Sequence, residues 1–274
     1  MLTLANVIWG ARCGEPARRV LLGETGSRGH AYSVRRRRES AYDRKAPHGL
    51  PSSRLVSTIP FDLWVDVWRK KWAQGEVVVV RYADDIILGF QHQAEADRFL
   101  ENFRERLGRF GLELHPDKTR RIEFGRFAEQ NRKRRGEGKP ETFDFLGFKH
   151  ISGKNRLGRF TVRRKTIRKR MGVKLREVKQ QLRERMHDPV RQTGQWLKSV
   201  VHGYFHYYAV PGNIDSLSAF RDRLTGHWWQ TLRRRSQKRR LSWTRMLALA
   251  DRWLPRPRVL HPYPADRFAA SHPR

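Results

Sequence analysis

The chain has 274 residues, enough for one to three modest domains, and carries a formal net charge of +32. A field of this sign and size attracts polyanions, so nucleic acid is the expected partner. The mean hydropathy of −0.79 and the lack of a long apolar run argue against a membrane protein. The single cysteine, Cys13, allows no intrachain disulfide and no cysteine-based zinc site, which fits a cytoplasmic location.

Residues 1–58 differ in composition from the rest of the chain. They contain many glycines and an arginine run at residues 35–38, with almost no apolar periodicity. The sequence therefore predicts an irregular basic N-terminal segment, whose arginine run either binds nucleic acid or is a solvated tail. The opening residues 1–9 are apolar but short, and no basic residue precedes them, so they do not predict a signal peptide.

Two apolar, β-branched runs flank a pair of adjacent acids at residues 77–90. This pattern predicts a β-hairpin with Asp84 and Asp85 at its tip. Two carboxylates about 4 Å apart repel by roughly 1 kcal/mol in water and roughly 4 kcal/mol at a dielectric constant near 20. A bound Mg²⁺ would turn this repulsion into attraction. The plain alternative is that aspartate is simply common in turns.

Apolar residues recur at helical spacing both before and after this hairpin in the sequence. This spacing predicts an amphipathic helix over residues 60–73 and a second over residues 93–110, which ends at Gly111. A short strand at residues 112–114 and a turn at residues 115–119 are expected next. A basic polar loop at residues 125–141 then leads to an aromatic β-hairpin at residues 143–148.

The third section of the chain is helical by periodicity. Apolar residues step by three or four from Ile167 to Met186, from Trp196 to Tyr208 and from Ile214 to Leu232. The pattern predicts three amphipathic helices that form a small bundle with basic faces. The exposed face of the first helix is predicted to carry Arg163–Lys165 and Arg168–Arg170. Residues 251–274 are predicted to form a proline-rich tail.

The Tyr-Ala-Asp-Asp tetrapeptide at Tyr82–Asp85 is similar to the metal-binding signature of reverse transcriptases. The form with alanine in second place is typical of group II intron and related bacterial enzymes. Residues Leu112–Thr119 and Phe143–Phe148 follow in the order of that family's palm. The helical section resembles the maturase-specific thumb, or X, domain, through Trp196, the Gly203–Tyr208 cluster, Leu217, Phe220, Trp228, Trp229 and the basic run that begins at Arg233.

This resemblance to group II intron reverse transcriptases and maturases implies roles for particular residues. Asp84 and Asp85 would be catalytic and would hold Mg²⁺. Tyr82, Lys118, Leu146 and Gly147 would contact the nucleotide or the primer. The residues implied in RNA binding are Arg163, Arg164, Lys165, Arg168, Lys169, Arg170, Arg233, Arg234, Arg235 and Lys238.

The expected fold is α+β. Its predicted parts are the irregular segment 1–58, a partial palm at 59–150, an all-α three-helix maturase domain at 160–250 and the tail 251–274. The resemblance spans about residues 60–245. The third catalytic aspartate and the fingers that the family places upstream are not found before Asp84, so an N-terminally truncated chain is expected, inactive or nearly so as a polymerase by itself.

The resemblance implies group II intron RNA, and an RNA/DNA template–primer, as partners. Splicing and intron mobility would be the processes served. A non-catalytic RNA-binding maturase remnant and a non-functional truncated product stay open as alternatives. An incomplete palm would also expose apolar surface, so self-association or binding of a partner chain is expected.

Overall fold

The structure is a computed structural model that describes residues 4–9, 61–82, 85–235 and 241–263, with the backbone alone for residues 4–9. The chain divides into two compact units. The first comprises residues 1–143 and 151–162, and the second comprises residues 144–150 and 163–274. Helices and small sheets alternate along the described residues, so the predicted α+β class is confirmed.

A four-stranded sheet forms the base of the first unit. Its strands are β1 (Leu4–Trp9), β2 (Val77–Tyr82), β3 (Asp85–Phe90) and β4 (Arg120–Glu123), in the order β2-β3-β1-β4. β2 and β3 pair antiparallel, whereas β1 runs parallel to both β3 and β4. Among the described residues, β2 therefore lies at one edge of the sheet.

Strand β1 departs from the irregular structure that is predicted for much of residues 1–58. Residues 4–9 pair on both sides and lie inside the sheet. A strand flanked by two parallel neighbours needs a continuous apolar run and shows no alternation, so its sequence signal is weak. The rest of the predicted N-terminal segment, including the arginine run at residues 35–38, lies outside the described residues.

Two helices pack on the first sheet and confirm their predictions. They are α1 (Phe61–Trp72) and α2 (Gln93–Gly108). Gly111 has a φ of +66° and follows α2 as its predicted stop. Trp72 ends α1 with a side chain that is 40% exposed. The core combines Phe61, Val65, Trp68, Val77, Ile86, Leu88, Phe90, Ala96, Phe99, Phe103, Leu107 and Leu112.

Two local predictions in the first unit are wrong. Residues 112–114 form only a single bridge at Leu114, and the strand is β4 farther along. The predicted loop at 125–141 contains the helix α3 (Ala128–Arg134). Ion pairs order this basic segment: Arg135 pairs with the buried Glu123, and Arg132 approaches Glu137 at 3.4 Å. Charge periodicity had indicated only a polar loop.

The predicted aromatic hairpin is part of a second, three-stranded sheet. Its strands are β5 (Thr142–Phe145), β6 (Phe148–Lys154) and β7 (Phe160–Thr166), in that order. β7 corrects the prediction of helix from residue 160. Arg163, Arg164 and Lys165 lie on this strand, and the first helix of the bundle begins only at Arg168. The alternation of buried Val162 and Thr166 with exposed cations is the strand pattern that was missed.

The described part of the second unit contains four helices where three were predicted. They are α4 (Arg168–Glu184), α5 (Val190–Tyr208), α6 (Ile214–Arg233) and α7 (Trp243–Trp253). Ser242 caps α7, because its side chain accepts a hydrogen bond from the Arg245 amide. The buried stripe of α7 is short and partly alanine, so its periodicity is weak. The bundle core is Met171, Leu175, Val178, Leu182, Leu197, Val201, Tyr204, Phe205, Ala209, Leu217, Phe220, Leu224, Trp228, Met246, Ala250 and Leu254.

Helices α5 and α7 are in close contact at Gly194, which has no side chain to keep them apart. A Cβ atom at this position would lie 2.6 Å from the Cδ2 atom of Trp253. We expect Gly194→Ala to destabilise the bundle by about 1–2 kcal/mol, because overpacking exceeds the roughly 1 kcal/mol that alanine gains in a helix. Amide hydrogen exchange of peptides from α5 and α7 measures the change.

Gly203 provides the matched control for this substitution in the same helix. A Cβ atom there meets nothing within 4 Å. Gly203→Ala should therefore stabilise α5 by up to about 1 kcal/mol and slow its exchange. Equal stabilisation by both substitutions would contradict the close approach of Trp253.

Candidate active site

The hairpin that carries the acidic pair forms as predicted. β2 and β3 pair from Val77 with Phe90 to Tyr82 with Asp85. Tyr82 and Asp85 are therefore the last described cross-strand pair of the hairpin. Asp84 lies outside the described residues, while Asp85 begins β3 with a half-buried side chain.

Packing and one buried carboxylate position this hairpin. The Phe90 ring lies 5.9 Å from the Trp68 ring and 5.3 Å from the Phe99 ring. The buried Glu95 accepts hydrogen bonds from the amides of Gln74 at 2.8 Å and Gly75 at 3.0 Å. These bonds hold the turn that enters β2, so α2 fixes where the hairpin starts.

The charged side chains at the hairpin differ in whether they form ion pairs. Arg81 on β2 approaches Asp62 of α1 at 3.4 Å. Asp62 and Asp66 line a small cleft of about 180 Å³ between α1 and β2. Asp85, in contrast, forms no ion pair with any other described residue. No described cation therefore competes for its oxygens with a metal ion.

The donor set fits one hard divalent cation better than two. Within the described ranges, which omit Asp84, no cluster of three or more His, Cys, Asp or Glu side chains could hold a metal. The strand next to β3 is β1, and residues 4–9 include no Asp or Glu. Among the described residues, the adjacent strand therefore offers no third carboxylate beside Asp85.

Lys118 occupies an exposed turn in the first unit. The amides of Lys118 and Thr119 both donate to the His115 carbonyl, at 3.2 and 3.0 Å. Leu112 is buried in the core before this turn and Leu114 packs against that core, so both leucines anchor the segment without forming the predicted strand. The turn presents the ammonium group to solvent, where it can meet an anion.

In the second unit, the turn of the aromatic hairpin rests on the C-terminal end of α5. Leu146 has a φ of +45° and Gly147 a φ of +81°. The Tyr207 hydroxyl donates to the Leu146 carbonyl at 2.8 Å. A Cβ atom at Gly147 would lie 3.0 Å from the Tyr208 hydroxyl. Glycine is thus required both by backbone conformation and by the approach of Tyr208.

The two tyrosines also hold the strand that follows this turn. The Phe148 ring stacks on Tyr207 at 5.9 Å and meets Tyr208 edge-on at 5.3 Å. Tyr207 is 41% exposed, although it lies in the aromatic cluster of a helix that apolar spacing predicts. Two adjacent tyrosines cannot both face one helix core, and this spacing was the available signal.

A buried amide completes the connection between sheet and bundle. The Oδ1 atom of Asn213 accepts from the Thr166 amide at 2.9 Å. Its Nδ2 group donates to the Thr166 hydroxyl and to the Tyr208 carbonyl, both at 2.8 Å. The sequence indicated only a helix stop at this position, because nothing in its spacing points to a partner 47 residues away.

The predicted RNA-binding cations lie at three places in the second unit. Arg163 and Lys165 are exposed and Arg164 is half-buried on β7. Arg168, Lys169 and Arg170 are exposed in the first turn of α4. Arg233 and Arg234 are exposed at the end of α6, Arg235 is half-buried, and Lys238 lies outside the described residues. The first turn of α4 contains no acid, although a helix N-terminus favours negative charge.

His150 on β6 does not add to this positive charge at neutral pH. Burial, and then the nearby Arg164 guanidinium, lower the pKa of His150 to about 4. The imidazole is therefore neutral near pH 7. The positive charge around His150 therefore comes from arginine and lysine side chains such as Arg164.

A hairpin with adjacent carboxylates in a strongly basic chain is typical of enzymes that act on nucleic-acid phosphates. Residues 15–150 match the family model described as reverse transcriptase (RNA-dependent DNA polymerase). The match covers slightly less than half of the chain and supports a reverse transcriptase family. No curated protein matches the chain significantly.

The family match extends farther upstream than the motifs had indicated. The resemblance was expected to begin near residue 60, but the match begins at residue 15. Residues 15–58 lack the apolar periodicity on which the sequence reasoning depended. A reverse transcriptase acts on nucleic acid, so the match also supports a nucleic-acid partner. None of the described helices is long and apolar enough to cross a membrane.

Proposed function

We propose that this chain carries part of an RNA-directed DNA polymerase and maturase of the group II intron type, and that it binds intron RNA and assists splicing and mobility of the intron in the cytoplasm. The observation that carries the proposal is the Tyr82–Asp85 hairpin inside the reverse transcriptase match. The alanine at position 83 and the helical section after the match favour the intron-encoded subtype.

Each proposed site residue has a role that its environment permits. Asp84 and Asp85 would hold Mg²⁺, which would polarise a phosphoryl oxygen. Tyr82 is 54% exposed beside the acids and offers its ring to a nucleotide. Lys118 would contact nucleotide phosphates. The turn at Leu146 and Gly147, held by Tyr207, would contact the primer strand.

The basic residues of the second unit would hold RNA. Three consecutive cations in the first turn of α4 oppose the helix dipole, at a cost of about 0.3–1 kcal/mol each at low ionic strength. A bound phosphate would remove this cost. The four-helix bundle would thereby serve as the thumb and maturase domain, with its basic side toward intron RNA.

Polymerase activity of the chain alone would be slight. Two-metal phosphoryl transfer needs carboxylates that place both ions, and the strand beside β3 contributes none. The same observation favours a second candidate function, an RNA-binding maturase factor that stabilises folded intron RNA without synthesis. A partner chain could supply what is missing through α1, where Leu63 and Val67 are 56% and 60% exposed.

Filter binding across a salt series tests the proposed RNA partner. The purified chain is mixed with a structured group II intron RNA and with an unstructured RNA of equal length. We expect tighter binding to the structured RNA at physiological salt. Equal binding that collapses as salt rises would mean that a +32 chain merely attracts polyanions, and would reject both candidate functions.

Primer extension separates the two candidates. The chain is supplied with an RNA template, a DNA primer, nucleotides and Mg²⁺. Trace extension above a no-enzyme control is expected for the polymerase, and none for the RNA-binding factor. Vigorous extension would contradict the inference that a third carboxylate is lacking beside the hairpin tip.

A further inference from the structure

The N-terminal end of α7 exposes a tryptophan beside the basic end of α6. Trp243 is the first residue of α7 and its side chain is 44% exposed. Its ring meets Trp229 at 5.2 Å and an interplanar angle of 73°. Trp229 in turn donates its indole N–H to the Leu241 carbonyl at 3.0 Å. The ring of Trp243 is therefore held by its neighbour while much of its surface meets solvent.

An arginine lies against the same pair of rings. The Arg233 guanidinium carbon is 4.8 Å from the centre of the Trp229 ring, and Arg233 is exposed. We call Trp229, Arg233, Leu241 and Trp243 the Trp243 platform. Leu247, one helical turn beyond Trp243, is 43% exposed and extends the apolar surface.

Charge decides which partner fits the Trp243 platform. From Arg223 to Ala250 the chain contains arginines and a lysine but no Asp or Glu. An exposed apolar ring would suit a protein partner or a nucleobase, but the cations of this stretch of sequence favour a polyanion. Aromatic rings beside arginine are the elements that bind single-stranded nucleic acid, since every base has a face that can stack.

We infer that the Trp243 platform binds an unpaired RNA nucleotide, with the base stacked on Trp243 and a flanking phosphate on Arg233. The inference deepens the proposed RNA-binding function and rests on it. It assigns single-stranded RNA, because the bases of a duplex are already stacked on each other and cannot present a face to the ring. The platform would thus add recognition of unpaired segments to the charge-driven binding of the bundle.

Binding of a short single-stranded RNA and of a duplex RNA with the same number of phosphates tests this site. Trp243→Ala should weaken binding of the single strand about tenfold and leave duplex binding nearly unchanged. The salt dependence should not change, because no charge is removed. Trp243→Phe should retain most of the affinity, whereas Trp243→Leu should behave like Trp243→Ala.

Trp72 supplies the matched control. It is 40% exposed, and Arg98 lies 5.3 Å from its ring. Trp72→Ala should bind both RNAs like the unchanged chain. Equal losses for single strand and duplex after Trp243→Ala, no loss for either, or full rescue by Trp243→Leu would each overturn the stacking site. The last of these would indicate an apolar protein contact.

The Trp243→Ala experiment and the test of the proposed function can fail independently of each other. A chain that fails to discriminate structured intron RNA but loses single-strand binding in Trp243→Ala retains the stacking site without the maturase function. A chain that discriminates intron RNA equally well with and without Trp243 retains that function and overturns the stacking site.

Discussion

Replacement of both hairpin acids, Asp84→Asn with Asp85→Asn, should abolish metal binding at the hairpin tip and any trace of primer extension. The amide keeps the side-chain shape but removes the negative oxygens that a hard divalent cation prefers. RNA affinity should stay unchanged or rise, because two negative charges near the nucleic acid are lost. Titration with Mn²⁺ followed by electron paramagnetic resonance measures the metal site directly, and filter binding measures the RNA.

The control for this variant removes the same charge elsewhere in the first unit. Asp62→Asn with Asp66→Asn changes two carboxylates of the cleft between α1 and β2. Because Asp62 already pairs with Arg81, its carboxylate is engaged, so this variant should bind Mn²⁺ like the unchanged chain. Metal binding that survives at the tip, or that disappears in the control, would show that the cation is held by other residues.

Asn213→Ala should loosen the second unit by about 3 kcal/mol. The substitution leaves the Thr166 amide without its buried acceptor and removes two further hydrogen bonds, to the Thr166 hydroxyl and the Tyr208 carbonyl. An unsatisfied buried polar group costs about 1–3 kcal/mol, and water cannot replace Asn213, which is fully buried. Hydrogen exchange of peptides covering β7, α5 and α6 should rise together.

Asn155 provides the comparison. Its Oδ1 atom also accepts two backbone amides, from Leu157 at 3.0 Å and Arg159 at 2.9 Å, but the turn is exposed. Asn155→Ala should cost well under 1 kcal/mol, because water satisfies the amides. Similar costs for the two substitutions would show that burial at Asn213 does not control the connection between β7 and the bundle.

The sequence by itself determined the parts of this protein whose signals are local. Valine and isoleucine on both sides of an acidic pair predicted the hairpin of β2 and β3, and the strands pair as expected. The helices α1, α2, α5 and α6 appear where apolar spacing placed them. The Tyr-Ala-Asp-Asp tetrapeptide pointed to reverse transcriptases, which the match at residues 15–150 supports.

Features that depend on partners far along the chain were not predictable in this way. Strand β1 is recognisable only from its pairing with β3 and β4, since a doubly paired parallel strand shows no alternation. Helix α3 forms in a segment that read as a loop, where ion pairs with Glu123 and Glu137 order its arginines. These ion pairs lie within a short stretch of sequence, but they leave no apolar period, so the interpretation as a loop missed the helix.

The tertiary structure alone decided how the candidate sites are built. Periodicity could place Tyr207 and Asn213 on or after a helix, but not against Leu146 or Thr166. It could list tryptophans, but not separate the fully buried Trp228 from the exposed Trp243. The local sequence pattern indicates whether a residue favours a helix, a strand or a turn. Its exposure and its hydrogen bonds depend on which distant segments pack against that residue in the folded chain.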